Sequence, residues 1–195
     1  MIKLSINKRV YLPDNIKTVD IWEVLNAIKT GYYNGENLIP ITKEIQMEQN
    51  HDKQNELKRN YLPCVLYNGV FNKKADSCLV AYSNITAMDF DRFESREAML
   101  YIRGRLEATS CVIAVFVTPS GKGLKALVIH DNQNPAHHKE LYKQLLRKFE
   151  ILDAISDNSC CDLSRGNYLC YDPCIWIRTE GVVPYHFEHS PNYHT

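Results

Sequence analysis

Two apolar segments joined by a short turn constrain the fold of this chain more than any other feature of its sequence. Cys111 to Val117 is an almost unbroken apolar run, and Leu124 to Ile129 is a second one. Between them lies Pro119-Ser120-Gly121-Lys122-Gly123, whose residue types are typical of a turn. A strand that lacks polar alternation is buried on both of its faces. The sequence therefore predicts a hairpin whose first strand is fully buried.

The remaining segments alternate between strand and helix patterns. Lys3 to Asn7 alternates like a half-buried strand, and Ile41 to Arg59 has the composition of one polar surface helix. The dipeptide Asn68-Gly69, flanked by apolar residues, favours a tight hairpin turn. Apolar spacing predicts three further helices, around Ile21 to Ile28, Met99 to Leu106 and Leu141 to Phe149. This order predicts an α+β (α/β) fold with a mixed, largely antiparallel sheet.

Length and charge limit the kind of protein this chain can be. The 195 residues, 45% of them hydrophobic, are enough for one substantial core, so we expect a single domain over residues 1–195. Within it we distinguish an N-terminal helical part (1–60), a motif-bearing core (61–175) and a C-terminal tail (176–195). Basic and acidic side chains number 23 each, which leaves no overall field to attract nucleic acid. Any such binding must therefore be local.

The cysteines and the N-terminus bear on the cellular compartment. Seven cysteines, an odd number without a Cys-x-x-Cys pair, are more typical of reduced thiols than of a disulfide framework. The segment Met1 to Leu12 lacks the apolar region of a signal peptide, and no apolar run reaches membrane-spanning length. We therefore expect a soluble, cytoplasmic protein without a membrane partner.

Two carboxylates end the strand that is predicted over Ile85 to Asp91. Asp89 and Asp91 are one residue apart, so in a strand their side chains lie on the same face. Such carboxylates repel each other unless a divalent cation lies between them, and oxygen ligands suit Mg²⁺ or Mn²⁺. The alternative is a strand that ends in a solvated acidic turn. If repulsion dominates, replacing either Asp by Asn should leave the stability of the metal-free protein level or higher.

The turn of the predicted hairpin is a candidate phosphate-binding segment. Ser120, Gly121, Lys122 and Lys125 offer a hydroxyl, a flexible backbone and two ammonium groups, which is the inventory of a phosphate-binding loop. The spacing is not that of a P-loop, and a strand follows where a P-loop has a helix. The alternative is an ordinary glycine-rich hairpin with solvated lysines.

A third polar cluster precedes the last predicted strand, Tyr168 to Tyr171. Asp157 or Asp162 offers a carboxylate that can complete a metal site with the first acidic pair. Arg165 can hold a phosphate through its planar guanidinium group. The alternative is that these residues only stabilise a turn, because Asp, Asn and Ser side chains form hydrogen bonds with the backbone groups of loops.

Taken in order, these stretches form a longer pattern. Its motifs are Leu62-Pro63, Gly69-x-Phe71, Met88-Asp89-Phe90-Asp91, Pro119 to Lys125, and Asp162-Leu163-Ser164-Arg165 through Tyr171-Asp172-Pro173. Through these motifs, from about Leu57 to Asp172, the chain resembles the archaeo-eukaryotic primase superfamily. Within that superfamily it is most similar to the VirE N-terminal domain family of mobile-element proteins.

The resemblance implies a primase-polymerase catalytic core, with an RNA-recognition-motif-like sheet beside an N-terminal α/β unit. Its implied catalytic ligands of two Mg²⁺ or Mn²⁺ ions are Asp89, Asp91 and Asp157, with Asp162 as the alternative to Asp157. Its implied nucleotide-binding residues are Ser120, Gly121, Lys122, Lys125 and Arg165. Lys125 stands where many relatives carry His, and a lysine has no acceptor nitrogen.

The resemblance also implies a function and partners. It points to a DNA primase or primase-polymerase-type nucleotidyltransferase of mobile-element replication, which joins nucleoside triphosphates on a single-stranded DNA template. The resemblance also implies a helicase domain or protein as a further partner. The alternative is a catalytically degenerate module that binds nucleotide or nucleic acid for a helicase, and a metal-dependent nuclease is a weaker one. Contacts to the DNA backbone are expected from two basic helix faces, Arg96 with Arg103 and Lys139 with Lys143 and Arg147.

Overall fold

A computed structural model describes residues 1–11, 16–91, 93–150 and 161–189 of the chain. Its N-terminal sheet is built on β1 (Lys3–Asn7), a predicted strand, which pairs with β2 (Ile16–Asp20) on one side and β5 (Cys64–Leu66) on the other. A short strand, β11 (Asn167–Tyr168), pairs with the far edge of β5. All of these pairs are antiparallel. The sheet therefore joins the start of the chain to the segment that follows Arg165.

A second sheet contains the hairpin that the apolar runs predict. β9 (Val112–Val117) and β10 (Leu124–Ile129) pair antiparallel. β8 (Ile85–Phe90) pairs with β10, and β12 (Trp176–Ile177) pairs with β9, both antiparallel. The strand that leads into the acidic pair therefore lies beside the strand that follows the glycine-rich turn.

Helices and two small hairpins complete the described part of the chain. The helices are α1 (Ile21–Thr30), α2 (Ile39–Met47), α3 (His51–Tyr61), α4 (Arg96–Ala108) and α5 (His138–Glu150), with short 3-10 helices at Asp76–Cys78 and Pro135–His137. The hairpins pair β3 (Tyr32–Tyr33) with β4 (Glu36–Asn37), and β6 (Gly69–Phe71) with β7 (Leu79–Tyr82). This mixture of helices and antiparallel sheets confirms the α+β fold, whereas the single-domain organisation stays a prediction. In the described ranges, no helix has both the length and the apolar character needed to cross a membrane.

The second sheet is buried on both faces. Ala87 and Leu127 belong to a hydrophobic core that they share with α1 and the N-terminal sheet. Met88, the neighbour of Ala87, belongs to the other core, which includes side chains of α4 and α5. Because side chains alternate along a strand, Asp89 and Lys125 fall on the side of the first core. Burial on both faces explains why the apolar runs in the sequence do not alternate.

The prediction of one helix over Ile41 to Arg59 is wrong, because the structure has two helices, α2 and α3. The side chain of Asn50 caps α3 by accepting hydrogen bonds from two backbone N–H groups of its first turn. The buried amide of Gln54 donates to the carbonyl oxygens of Ile45 (2.9 Å) and Glu48 (2.8 Å). These bonds satisfy backbone groups at the end of α2 and fix the corner between the two helices.

The hairpin turn predicted at Asn68-Gly69 does not form. β5 pairs with β1 and β6 pairs with β7, so the two flanking strands lie in different sheets. Gly69 is required for another reason, since an added Cβ would lie 2.2 Å from the backbone oxygen of Ala81 on β7. Asn68 donates from its side-chain amide to the carbonyl oxygen of Leu163, 2.9 Å away. Asn68 therefore anchors the segment that precedes Arg165, and the turn at residues 67–68 does not join two paired strands.

Two histidines are buried near α5. His130 is 2% exposed and His138 is 1% exposed. The hydroxyl of Tyr82 lies 2.7 Å from Nδ1 of His138, whereas neither ring nitrogen of His130 has a hydrogen-bond partner within the described ranges. Burial lowers the pKa of His130 to about 3 and that of His138 to about 4. Both imidazoles are therefore neutral in the folded protein near neutral pH.

We predict that these histidines make the free energy of unfolding fall as the pH is lowered. Below its ordinary pKa of about 6.5 an imidazole binds a proton in the unfolded chain but not in the folded one, so stability is lost from there down to the folded-state pKa. Each imidazole should account for about 2 kcal/mol between about pH 7.5 and about pH 5. Urea unfolding at both pH values checks this, and His130→Leu should lose only about half as much stability as the wild type. Equal losses in the two proteins would contradict the prediction.

Candidate functional site

One large cleft, with a volume of about 1300 Å³, lies between the α2–α3 corner and one end of the second sheet. The opposite wall comes from the end of β8, the start of α4 and the turn between β9 and β10, and residues 165–168 also line the cleft. The side chains that α2, α3 and their connection contribute are all polar: Gln46, Gln49, His51, Gln54, Asn55 and Lys58. The polar helices therefore face the acidic end of the sheet.

The cleft brings together most of the residues that the sequence singled out. It is lined by Asp89, Asp91, Ser120, Gly121, Lys122, Lys125 and Arg165. Asp157 lies outside the described residues. Asp162 does not line the cleft, and its half-exposed carboxylate lies 3.6 Å from Nζ of Lys139. The acidic pair and the candidate phosphate-binding residues thus share one site, while their roles stay predictions.

Lys125 forms the floor of the cleft. It lies opposite Asp89 in the β8–β10 register, and its Nζ is 2.5 Å from Oδ1 of Asp89. The same ammonium donates to Oδ1 of Asn167, 2.5 Å away on β11. Lys125 is only 4% exposed, so this charge is held by its two partners more than by water. The side chain therefore neutralises one carboxylate of the acidic pair and connects the two sheets.

Asp91 lies against the glycine-rich turn. It is exposed, and an added Cβ on Gly123 would lie 2.1 Å from its Oδ1. The turn is closed by backbone hydrogen bonds of 2.9 Å from Gly121 to the carbonyl oxygen of Thr118 and from Thr118 to that of Gly123. Gly121 has a φ of 75°, a conformation that glycine adopts without strain. The glycines therefore let the candidate phosphate-binding turn contact the carboxylate directly.

Arg165 is positioned by the loop that precedes it. The backbone N–H and the hydroxyl of Ser164 both donate to Oδ1 of Asp76, at 2.8 Å and 2.6 Å. The N–H of Arg165 itself donates to the carbonyl oxygen of Asp162 at 3.1 Å. These bonds tie the loop to the 3-10 helix before β7, which directs the chain so that Arg165 reaches the cleft.

One face of α3 contributes residues that the sequence did not single out. His51, Asn55 and Lys58 are spaced by four and three residues, so they lie on one face of the helix, and all three line the cleft. Burial lowers the pKa of Lys58, and attraction by Asp91 and Asp89 opposes that shift. Their helical spacing could have identified these residues as one polar face of α3. Spacing alone does not indicate which part of the protein that face contacts.

The cleft concentrates positive charge in a chain whose net charge is zero. Among its described lining residues, the cationic ones are Lys58, Arg96, Lys122, Lys125 and Arg165, and the anionic ones are Asp89 and Asp91. Five cations against two anions leave an excess of three positive charges. A concave site with such an excess attracts polyanions.

Within the described residues, the donor set for a metal ion is partial. Asp89 and Asp91 offer carboxylate oxygens, the ligand type that suits Mg²⁺ or Mn²⁺. In the part of the chain that the structure describes, no group of three or more His, Cys, Asp or Glu residues could hold a metal. The ammonium of Lys125 already occupies one oxygen of Asp89. These residues therefore fit one shared cation, and they do not supply the third carboxylate expected for two ions.

The two basic helix faces contribute little to the cleft. Arg96 lines it, but Arg103 donates to Oε1 of Glu107 at 2.6 Å and to the carbonyl oxygen of Cys174. The face of α5 with Lys139 does not line the cleft. Arg103 therefore holds α4 to the segment before β12, and the proposed contacts of these faces to a DNA backbone stay predictions.

The fold and the site together define an α+β domain in which an acidic pair and several basic side chains share one polar cleft. The model of the family described as BT4734-like, N-terminal domain, matches residues 56–176. This match covers more than half of the chain, so the protein belongs to the BT4734-like N-terminal domain family. No primase or VirE family model matches, so the expected membership of the archaeo-eukaryotic primase superfamily through the VirE branch is wrong. No curated protein and no solved structure matches the chain.

We predict that Asp89→Asn lowers stability, whereas the sequence alone led us to expect no loss. The substitution leaves the buried ammonium of Lys125 without its counter-charge, which should cost about 2 kcal/mol of the free energy of unfolding. Asp91→Asn is the matched control, because Asp91 is exposed, and it should change stability by less than about 0.5 kcal/mol. Urea unfolding at neutral pH without divalent cations measures both. A loss in Asp91→Asn as large as that in Asp89→Asn would contradict this account.

Proposed function

We propose that this chain is a metal-dependent nucleotidyltransferase of the primase or polymerase type, which joins nucleoside triphosphates on single-stranded DNA. The observation that carries the proposal is the cleft, where Asp89 and Asp91 lie beside an excess of positive charge. Nucleotidyl transfer needs both features. Basic groups bind the triphosphate, and a carboxylate pair holds the divalent cation that accompanies it.

The cationic side chains support a triphosphate as ligand. Lys122 and Arg165 line the cleft from the turn and from the segment before β11. Arg165 can bind two phosphate oxygens through its planar group, while Lys122 acts as a point charge. The hydroxyl of Ser120, which accepts a hydrogen bond from the N–H of Lys122 at 3.4 Å, can donate to a further oxygen.

The size of the cleft supports a template beside the nucleotide. Pockets for small ligands have volumes of about 300–1000 Å³. The volume here is about 1300 Å³, which leaves room for a nucleotide and part of a second polyanionic chain. The excess of positive charge would offset the repulsion between the two ligands.

Asp89 and Asp91 would hold Mg²⁺ or Mn²⁺, which when bound stabilises the charge of the reacting phosphate. Lys125 keeps Asp89 oriented through the contact to its Oδ1. Lys58, which is attracted electrostatically by both carboxylates, supplies a second ammonium group at the same end of the cleft.

One observation favours a second candidate, a module that binds nucleotide or nucleic acid for a helicase partner without catalysis. Asp89 is already neutralised by Lys125, and the described residues hold no third metal ligand near the pair. A charge-balanced carboxylate binds a divalent cation less tightly than an unpaired one. Binding of a polyanion by the basic side chains does not depend on that cation.

Primer extension on a single-stranded DNA template separates the two candidates. We predict that the wild-type chain incorporates labelled nucleotides with Mg²⁺ or Mn²⁺, and that Asp91→Asn loses incorporation because a cation ligand is removed. Asp52→Asn is the control, since Asp52 is an exposed carboxylate outside the cleft lining. Nucleotide binding without incorporation in the wild type would favour the binding module. Absence of both would refute the two candidates together.

We predict that Arg165→Ala weakens nucleoside triphosphate binding by about 1.5–3 kcal/mol, because a charge-assisted hydrogen bond to phosphate is lost. Calorimetric titration at low and at physiological salt measures the affinity. The loss should be smaller at higher salt, since ions screen the remaining attraction. Lys139→Ala, which removes a cation outside the cleft, should leave the affinity unchanged. Equal effects of the two substitutions would show that binding is not localised to the cleft.

A further inference from the structure

The segment Gly166-Asn167-Tyr168 lines one edge of the cleft, and a cationic side chain lies at each of its ends. At the first end is Lys74, since an added Cβ on Gly166 would lie 3.0 Å from its Cε and 3.5 Å from its Nζ. At the second end is Arg59 of α3, whose side chain donates a hydrogen bond to that of Tyr168. We call Arg59 and Lys74 the rim pair. Neither of them lines the cleft, so both lie just outside it.

The charges of the rim pair act on the groups beside this edge. Burial raises the pKa of the Cys64 thiol to about 11, and the ammonium of Lys74 is the charge that most opposes this shift. Burial also raises the pKa of Tyr168, and the charge of Arg59 opposes that shift. Both cations are therefore close enough to the edge to interact with a ligand that crosses it.

No carboxylate balances the rim pair within the part of the chain that the structure describes. The ion pairs found there include neither Arg59, which is exposed, nor Lys74, which is half-buried. By contrast, Lys139 on α5 is paired with Asp162. Cations without an acidic neighbour keep their attraction for an anion from solution.

The rim pair extends the positive charge of the cleft on one particular side. Elsewhere, α2 lies against the glycine-rich turn, because an added Cβ on Gly121 would be 3.2 Å from Cγ of Gln46. The edge at Gly166 begins with a residue that has no side chain, directly after the cleft-lining Arg165. A polyanion that is too long for the cleft therefore meets further cations when it crosses this edge.

We propose that the rim pair binds the sugar–phosphate backbone of single-stranded nucleic acid where the strand leaves the cleft. Contacts from Lys and Arg to phosphates supply affinity that does not depend on base sequence. A single strand can bend from a concave site onto its rim, whereas a duplex is stiff over such a distance. This inference rests on the proposed function, because it takes the cleft to hold part of a nucleic-acid strand.

Two probes of different length test the proposal: inorganic tripolyphosphate, which is short enough to stay in the cleft, and an oligothymidylate of about 15 nucleotides, which is not. At low salt, Arg59→Ala and Lys74→Ala should each weaken binding of the oligothymidylate by roughly five- to tenfold. Each should also reduce the slope of log affinity against log salt by about 0.7, the value for one phosphate contact on a single strand. Tripolyphosphate binding should not change in either variant.

Lys29→Ala is the matched control, because Lys29 is an exposed lysine at the end of α1, outside the cleft lining. It should leave the binding of both probes unchanged. A DNA duplex of the same length and a polyglutamate peptide are the competitors. Both should displace the oligothymidylate from the wild-type chain less effectively than unlabelled oligothymidylate does.

The outcomes separate this inference from the proposed function. If both rim variants bind the oligothymidylate as the wild type does, or if Lys29→Ala weakens it equally, the rim pair does not contact the strand. The inference also fails if the rim variants lose tripolyphosphate binding to the same extent, or if either competitor is as effective as the single strand. If the wild type binds neither probe, the proposed function itself fails.

Discussion

The ammonium group of Lys125 joins the two sheets of the molecule through a charge-assisted hydrogen bond. It lies on β10, its carboxylate partner Asp89 lies on β8, and its amide partner Asn167 lies on β11 of the N-terminal sheet. A charge that is almost fully withdrawn from water is stable only when partners replace its hydration. The contact therefore ties the end of the second sheet to the N-terminal sheet at the cleft, which both Lys125 and Asn167 line.

The same contact sets the electrostatics of the site. With Asp89 balanced by Lys125, the acidic pair does not make the cleft negative, and the remaining basic side chains determine its sign. The chain as a whole is neutral, so the field is confined to the concave surface. A local field of this kind selects ligands that can enter the cleft and does not attract nucleic acid to the whole surface.

Local patterns predicted the parts of the fold that local forces decide. The buried hairpin followed from unbroken apolar runs, whereas the contact between Asp89 and Lys125 depends on the pairing of β8 with β10, which no local pattern predicted. The α2–α3 corner was not predictable in this way, because it depends on Gln54 reaching carbonyl oxygens outside its own helix turn. The hairpin predicted at Asn68-Gly69 was wrong for a similar reason. Tertiary packing determines which strands pair with β5 and β6, and the dipeptide carries no information about that packing. Nor could spacing along α3 indicate that its polar face meets the carboxylates.

The contact between Gly123 and Asp91 gives the site a mechanical property. No side chain separates the turn from the carboxylate, and there is no room for even a methyl group between them. A ligand that binds the turn therefore also lies against the carboxylate of Asp91, and any residue larger than glycine at position 123 would displace the acid.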